Sequence, residues 1–170
     1  RAAAVFDALK ESGLNFVCIY PNNDHGCEGI FDGLAEVSRL NRFRVIPSMR
    51  FEYFLSLLRG ARAIVGNSSA GIREAPVYGV PTVNLGSRQL NRFHYSSIIN
   101  VPETTKDTLE ALRNLPETSV PTFYFGRGDS AQRFAQALCG KDLWQTPRQK
   151  QFRDIEHLEA APFGDDYLNG

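Results

Sequence analysis

Long apolar segments and an excess of charge of one sign are both missing from this 170-residue chain. No apolar run approaches the roughly 20 residues that a helix needs to cross a bilayer. Nineteen Lys and Arg balance nineteen Asp and Glu, and neither half of the chain carries a basic stripe. Because nucleic-acid binding requires such a basic surface, we expect neither a nucleic acid nor a membrane among the partners.

Cysteine is scarce, and its spacing suits neither metal binding nor cross-linking. The three cysteines, Cys18, Cys27 and Cys139, form an odd set without a C-x-x-C pair. This spacing argues against a disulfide framework and against a zinc site, so no metal and no cofactor is predicted. We expect Cys18 and Cys139 to be small buried hydrophobic residues in a protein of the reducing cytoplasm.

Helical and strand-like apolar patterns alternate along the chain. Helices are predicted at 2–11, 30–40, 51–59, 72–78, 105–115 and 130–138. Strands are predicted at 15–20, 43–46, 63–65, 82–85 and 98–101. This alternation is typical of an α/β fold, here a Rossmann-like parallel sheet with helices on both faces.

The length of the chain suits one well-packed domain and is short for two. We expect residues 1–139 to form that domain and residues 140–170 to form a partly helical tail, part of which either docks on a partner or is disordered. Arg1 opens directly into a predicted helix, whereas a doubly wound sheet normally begins with a strand. We therefore expect the chain to be a fragment of a longer protein.

A turn of small polar residues follows the third predicted strand and precedes a helix. We call residues 67–69, Asn67, Ser68 and Ser69, the serine turn. Backbone N–H groups in the first turn of a helix lack internal partners, and the helix dipole adds positive charge there. Together with the two serine hydroxyls they predict a cradle for a phosphate group. Helix capping by serine is the simpler alternative, and the turn alone does not decide between the two.

Two further residues extend this prediction to a nucleotide. Glu74 lies one turn into the same helix, where its carboxylate would repel phosphate unless it accepts hydrogen bonds from another group, such as the two ribose hydroxyls. Arg88 follows the strand at 82–85, so it leaves the same edge of a parallel sheet as the serine turn. Ligands of open α/β sheets bind at this carboxyl edge.

Four sequence segments carry a family resemblance. In order, they are Y-P-N-N-D, F-R-V-I-P-S-M-R-F-E-Y-F, G-N-S-S-A-G-I-R-E-A-P-V-Y-G-V-P-T-V-N-L-G-S-R-Q and F-G-R-G-D-S-A, within residues 15–138. They resemble the UDP-N-acetylglucosamine 2-epimerases, of the GT-B superfamily of two Rossmann-like domains. The N-S-S turn, the single Glu and N-L-G-x-R-Q are similar to the hydrolysing branch, which makes N-acetylmannosamine-type sugars for sialic acid and related nonulosonates. The non-hydrolysing branch typically has D-S-G-G-x-Q-E-E instead.

The resemblance implies that this chain is the carboxy-terminal, UDP-holding domain of such an enzyme. At the matching positions, Ser68 and Ser69 would hold the diphosphate, and Glu74 the ribose hydroxyls. Arg88 would contact a phosphate or the nucleotide edge. The resemblance also implies two partners, a UDP-sugar and the amino-terminal domain of the same polypeptide. It further implies that the full-length protein is a homo-oligomer.

The other implied site residues follow the first two predicted strands. Asn22 matches the family position that lines the nucleotide pocket, and Ser48, Met49 and Arg50 match the segment that frames the uracil.

The sequence departs from the family pattern after Gln89, where the usual Q-x-G-R-E is replaced by Q-L-N-R-F. Arg92 is kept, but Asn91 and Phe93 stand in place of Gly and Glu. The resemblance implies that this loop faces the sugar, so a modified sugar such as a diacetylated bacillosamine is an alternative substrate.

The chemistry implied by the resemblance needs more than this chain contains. A base removes the C2 proton of the sugar while UDP leaves C1, and a proton then returns to the opposite face of C2. In the hydrolysing branch, water takes the place of UDP. Most proton-transfer groups belong to the amino-terminal domain, so we expect the isolated chain to bind UDP and to turn nothing over. His25, which follows Asn22 on the ligand edge, is a candidate base within this chain, and the alternative is a histidine that merely belongs to the turn.

Two other functions remain open at this point. One is the nucleotide-sugar half of a GT-B glycosyltransferase, against which the intact N-L-G-x-R-Q segment argues. The other is a non-catalytic nucleotide-sugar-binding module. A second Rossmann-like domain with acidic residues on its ligand edge, upstream of Arg1, would favour the enzyme.

Overall fold

The computed structural model describes residues 1–22, 26–117 and 119–149. His25 and residues 150–170 of the predicted tail therefore lie outside the described residues. The chain divides into two compact units, Arg1–Thr122 and Phe123–Gly170, which are described separately below. In the part of the chain that the structure describes, no helix has the length and apolar character needed to span a membrane.

The first unit alternates helices and strands, as predicted. In chain order its elements are α1 (Ala2–Glu11), β1 (Phe16–Ile19), α2 (Glu28–Val37), β2 (Phe43–Ile46), α3 (Phe51–Arg59), β3 (Ile64–Gly66), α4 (Ala70–Arg73), a 3₁₀ helix (Ala75–Tyr78), β4 (Thr82–Leu85), β5 (Ile98–Val101) and α5 (Thr105–Arg113). The prediction of one helix over 72–78 was wrong, because the segment is divided between α4 and the 3₁₀ helix. Pro76 lies in the first turn of that 3₁₀ helix and has no N–H to continue an α-helical ladder.

All strand pairs in this unit are parallel. β1 pairs with β2, and β3, β4 and β5 form a three-stranded sheet in that order. Gly66 lies beside Asn84 in the register, and Asn84 lies beside Asn100. The segments that follow β3, β4 and β5 therefore leave the sheet at one carboxyl edge. This α/β, Rossmann-like arrangement confirms the predicted fold class.

Strand β4 shows how helices cover both faces of its sheet. Side chains alternate between faces along a strand. Val83 and Leu85 join the main hydrophobic cluster with residues of α1, α2 and α5. Thr82, on the opposite face, donates from Oγ1 to the carbonyl oxygen of Gly71 in α4, at 2.7 Å. A Cβ at position 71 would lie 2.5 Å from Thr82 Cγ2, so glycine permits this close packing.

The main hydrophobic cluster connects both sheets. Its buried members are Phe6, Leu9, Leu34, Val37, Phe43, Val83, Leu85, Ala111, Leu112 and Leu115. A smaller cluster, formed by Leu58, Ala75 and Val80, packs beside α3 and the 3₁₀ helix. Burial of each large apolar side chain contributes about 1.5–3 kcal/mol to the stability of the fold. The main cluster therefore fixes the strands from whose ends the predicted site residues extend.

The second unit is described from Phe123 to residue 149 and contains α6 (Ser130–Cys139) and α7 (Lys141–Gln145). The Trp144 indole donates to the Leu138 carbonyl at 2.7 Å, which joins the two helices. Cys139 is exposed, contrary to prediction, because α6 buries none of its residues.

Cys18, in β1 of the first unit, is half-buried against the main cluster, and this burial raises the pKa of its thiol. The predicted boundary after residue 139 stays a prediction.

Candidate functional site

The serine turn and Arg88 lie at the same edge of the three-stranded sheet. The turn follows β3, and Arg88 lies three residues after the end of β4. Because β3 and β4 are parallel neighbours, both segments leave the sheet on one side. Ser68, Ser69 and Arg88 are all exposed there, so their hydroxyl and guanidinium donors are accessible to a ligand.

The backbone of the serine turn differs from the predicted cradle. The amides of residues 70–73 donate to the Ser68 hydroxyl, the Ser68 carbonyl or the Ser69 carbonyl, at 2.9–3.3 Å. They are therefore not the unpartnered amides that the sequence suggested. Helix α4 has only four residues, so few peptide dipoles add up at its start. Attraction for an anion must come from the serine hydroxyls and Arg88 rather than from a long helix.

Gly66 leaves space beside the serine turn. It ends β3 with a φ of +147°, a conformation that glycine adopts readily. A Cβ placed on Gly66 would have no heavy atom within 4 Å. The backbone at the end of β3 is thus open to the approach of a ligand.

Glu74 supplies a buried acceptor behind the turn. It connects α4 to the 3₁₀ helix and is half-buried. Its Oε2 atom is buried and has no hydrogen-bond partner among the described residues. An unpartnered buried oxygen carries a desolvation cost that a donor would remove. Ionised carboxylate oxygens only accept hydrogen bonds, so the fitting ligand group is a hydroxyl or an amide N–H.

Gln89 is a residue of this edge that the predicted site did not include. Its side chain is only 3% exposed, and Nε2 donates to the Asn67 carbonyl oxygen at 2.9 Å. This bond joins the segment after β4 to the serine turn. The quoted N-L-G-x-R-Q segment contains Gln89, but a contact across 22 positions leaves no local pattern in the sequence.

The loop beyond Gln89 keeps an unusual backbone conformation at Asn91. This residue has a φ of +62° and is the one non-glycine with positive φ in the described ranges 1–22, 26–117 and 119–149. Asparagine tolerates the left-handed region better than most residues, so it can replace the glycine expected from the family pattern. Phe93 then stacks on Tyr95, with ring centroids 5.7 Å apart, and the Tyr95 hydroxyl donates to the Val120 carbonyl.

The remaining predicted site residues lie at the carboxyl edge of the other sheet. Asn22 follows β1, and Ser48, Met49 and Arg50 follow β2, its parallel partner. Asn22 and Ser48 are exposed, while Met49 is half-buried. Arg50 Nε lies 3.7 Å from Glu52 Oε2, an exposed pair that holds the guanidinium weakly. The nucleotide-binding role of all these residues stays a prediction.

The described part of the chain contains no cluster of metal-binding side chains. No group of three or more His, Cys, Asp or Glu side chains there could hold a metal ion.

A further acidic residue lies at the carboxyl edge of the three-stranded sheet. Glu103 follows β5, and its Oε2 atom lies 3.6 Å from the Arg1 guanidinium. The predicted site did not include it.

Comparisons with known proteins show which family this chain resembles. The family model described as UDP-N-acetylglucosamine 2-epimerase matches residues 1–139. A UDP-N-acetylglucosamine 2-epimerase of Neisseria meningitidis is 44% identical over 161 residues, which are 91% of this chain and 42% of that protein. A UDP-N,N'-diacetylbacillosamine 2-epimerase (hydrolyzing) of Legionella pneumophila is 31% identical over 138 residues, or 79% of this chain and 36% of that one.

A solved structure has the same fold. The UDP-GlcNAc 2-epimerase of Methanocaldococcus jannaschii, in complex with UDP-GlcNAc and UDP, superposes with a TM-score of 0.64 at 17% identity. The match covers 81% of this chain and 39% of that one, and at this identity it shows the fold alone. This chain thus spans about two fifths of the length of the Neisseria and Methanocaldococcus proteins.

Proposed function

The chain belongs to the UDP-N-acetylglucosamine 2-epimerase family, and we propose that it is the UDP-holding part of such an enzyme. The observation that carries the proposal is the buried, unpartnered Oε2 of Glu74 behind the exposed serine turn. A ribose diol would donate two hydroxyls to that carboxylate. The serine hydroxyls and Arg88 would donate to the diphosphate on the same edge of the sheet.

The proposed reaction is the hydrolysing one, from UDP-N-acetylglucosamine to N-acetylmannosamine and UDP, or the equivalent with a related UDP-sugar. Its support is the N-S-S turn with a single Glu at position 74, and a relative from Legionella that is itself named as hydrolysing. A role in making nonulosonates for surface polysaccharides goes with that proposal. The homo-oligomer expected of the full-length protein and its place in the cytoplasm stay predictions.

The part of the mechanism that this chain would perform is departure of the leaving group. As the bond from C1 to UDP breaks, negative charge grows on the diphosphate. Fixed donors aimed at that charge lower the barrier, and the Arg88 guanidinium with the two serine hydroxyls would supply them. Transfer of the C2 proton requires an acid and a base on opposite faces of the sugar. We assign these groups to the rest of the protein, so the chain alone would not turn over.

Ligand titration tests the proposal. We expect calorimetry to give tighter binding of UDP than of N-acetylglucosamine, because the proposed contacts address the nucleotide. Replacing both Ser68 and Ser69 by alanine should weaken UDP at least tenfold, since each hydrogen bond to a charged group is worth about 1.5–3 kcal/mol.

Ser96→Ala is the matched control, because exposed Ser96 precedes β5 and so lies at the opposite edge of the sheet. Binding of the sugar without binding of UDP would contradict the proposal. A glycosyltransferase half or a non-catalytic module would also bind UDP, and the family match disfavours the first of these.

A further inference from the structure

Gln89 is an unusual residue to bury at an open sheet edge. It is 3% exposed, yet its Oε1 atom has no hydrogen-bond partner in the described part of the chain. A buried amide oxygen without a donor costs free energy that an apolar side chain of similar length would avoid. A structural role in packing alone would therefore be performed better by methionine or leucine.

The other end of the same side chain is engaged. Nε2 donates at 2.9 Å to the carbonyl oxygen of Asn67, the first residue of the serine turn. The hydrogen bonds of Ser68 and Ser69 described above are local, to residues 70–73. The Gln89 bond, in contrast, reaches across 22 positions and fixes the turn to the segment that follows β4.

Arg88 is the neighbour of Gln89, so the same bond also sets the distance between the turn and Arg88. Ser68 and Ser69 follow Asn67 directly on the other side. Two separate chain segments that must hold one diphosphate lose affinity when either is displaced, because misplacement of about 1 Å weakens several contacts together. Holding them in place before binding reduces the ordering cost that the ligand must offset.

We propose that Gln89 is a positioning residue that holds the serine turn and Arg88 at the separation a diphosphate requires. The inference rests on the proposed function for the identity of the ligand. This role requires a neutral side chain that is as long as glutamine and carries an N–H donor at its end. Glutamate offers no donor when ionised, and methionine keeps the length without the donor.

The first experiment separates positioning from folding. The 170-residue chain and its Gln89→Met variant are titrated with UDP, pyrophosphate and uridine. We expect about a tenfold loss for UDP and pyrophosphate and less than a twofold loss for uridine, which lacks the diphosphate. Gln132→Met, at an exposed glutamine of α6, is the control and should change none of the three. Equal losses for all three ligands, or no loss for pyrophosphate, would overturn the inference.

The second experiment uses the conservative variant. In Gln89→Glu the ionised carboxylate faces the Asn67 carbonyl and repels it, whereas the protonated acid can donate to it. Pyrophosphate affinity of this variant, divided by that of the wild type at the same pH, should therefore rise as the pH is lowered from about 8 to about 5. A ratio that is independent of pH would contradict the hydrogen-bonding role.

A measurement without ligand keeps the two proposals separate. Amide hydrogen exchange of residues 70–73, whose N–H groups donate to Ser68 and Ser69, should accelerate in Gln89→Met, while that of α5 stays unchanged. If the wild-type protein binds neither UDP nor pyrophosphate, but Gln89→Met shows this acceleration, the proposed function is refuted and the positioning role is supported. Unchanged exchange of residues 70–73 would refute the positioning role whatever the ligand.

Discussion

Replacing Glu74 by methionine is expected to stabilise the free chain and to weaken its binding of UDP. The Glu74 side chain is half-buried, and its Oε2 atom lies inside without a donor. An unsatisfied buried oxygen costs about 1–3 kcal/mol, and partial exposure of the residue places this case near the lower limit. Methionine has similar length and no group that needs a partner. We therefore expect the free energy of unfolding to rise by about 1 kcal/mol.

The loss of UDP affinity in Glu74→Met follows from the hydrogen bonds that the carboxylate would accept. If the two ribose hydroxyls donate to Glu74, their loss removes hydrogen bonds to a charged group worth about 1.5–3 kcal/mol each. Because 1.4 kcal/mol is a tenfold change, UDP should bind at least about tenfold more weakly. Glu74→Gln retains one acceptor oxygen without the charge, so its affinity should lie between those of the methionine variant and the wild type. Pyrophosphate has no ribose, and its affinity should hardly change.

Two assays on the same protein samples test this reasoning. Thermal unfolding without ligand should show the melting temperature of Glu74→Met raised by about 2–4 °C. Calorimetry should show the selective loss for UDP. Glu110→Met, at an exposed glutamate of α5, is the control and should alter neither quantity. A destabilised Glu74→Met variant that loses UDP and pyrophosphate equally would show that Glu74 acts through the fold, and would refute the ribose assignment.

Three further outcomes are expected. The 170-residue chain should release no UDP from UDP-N-acetylglucosamine until the rest of the protein is supplied; turnover by the chain alone would assign a base within it. Gly79→Ala should cost at least about 2 kcal/mol of stability, because Gly79 has a φ of +66° and a Cβ there would lie 2.4 Å from the Ser119 carbonyl oxygen. Gly60→Ala should be tolerated, because the nearest atom to its added Cβ would be 3.8 Å away. Chemical denaturation of Asn91→Val should show a loss of about 1–2 kcal/mol and that of Asn91→Gly almost none, and similar values for both would contradict the left-handed backbone.

Apolar periodicity predicted the alternating elements well, because burial of one face determines both helices and strands here. The strand at 43–46 and the helices at 2–11 and 51–59 have the predicted bounds. The error at 72–78 arose because the apolar pattern continues through Pro76, whose missing N–H is a local chemical fact that periodicity ignores.

The candidate site was predictable where it depends on sheet topology alone. Parallel pairing of β3 with β4 brings the serine turn and Arg88 to one edge, as the order of elements implied. The bond from Gln89 to Asn67 and the partnerless oxygen of Glu74 depend on side-chain positions across distant segments, which no local pattern encodes. The internal hydrogen bonds of residues 70–73 were missed for a related reason, since a serine can satisfy either a ligand or its own helix.

The contact between Gly71 and Thr82 makes the residue that one position can accept depend on the residue at the other. Alanine at 71 alone would collide with the Thr82 methyl group at 2.5 Å. Serine at 82 lacks that methyl group but keeps the hydroxyl that donates to the Gly71 carbonyl oxygen. We therefore expect alanine at 71 to destabilise the fold while threonine stands at 82 and to be accepted when serine stands there, so the two substitutions are coupled although each is chemically small.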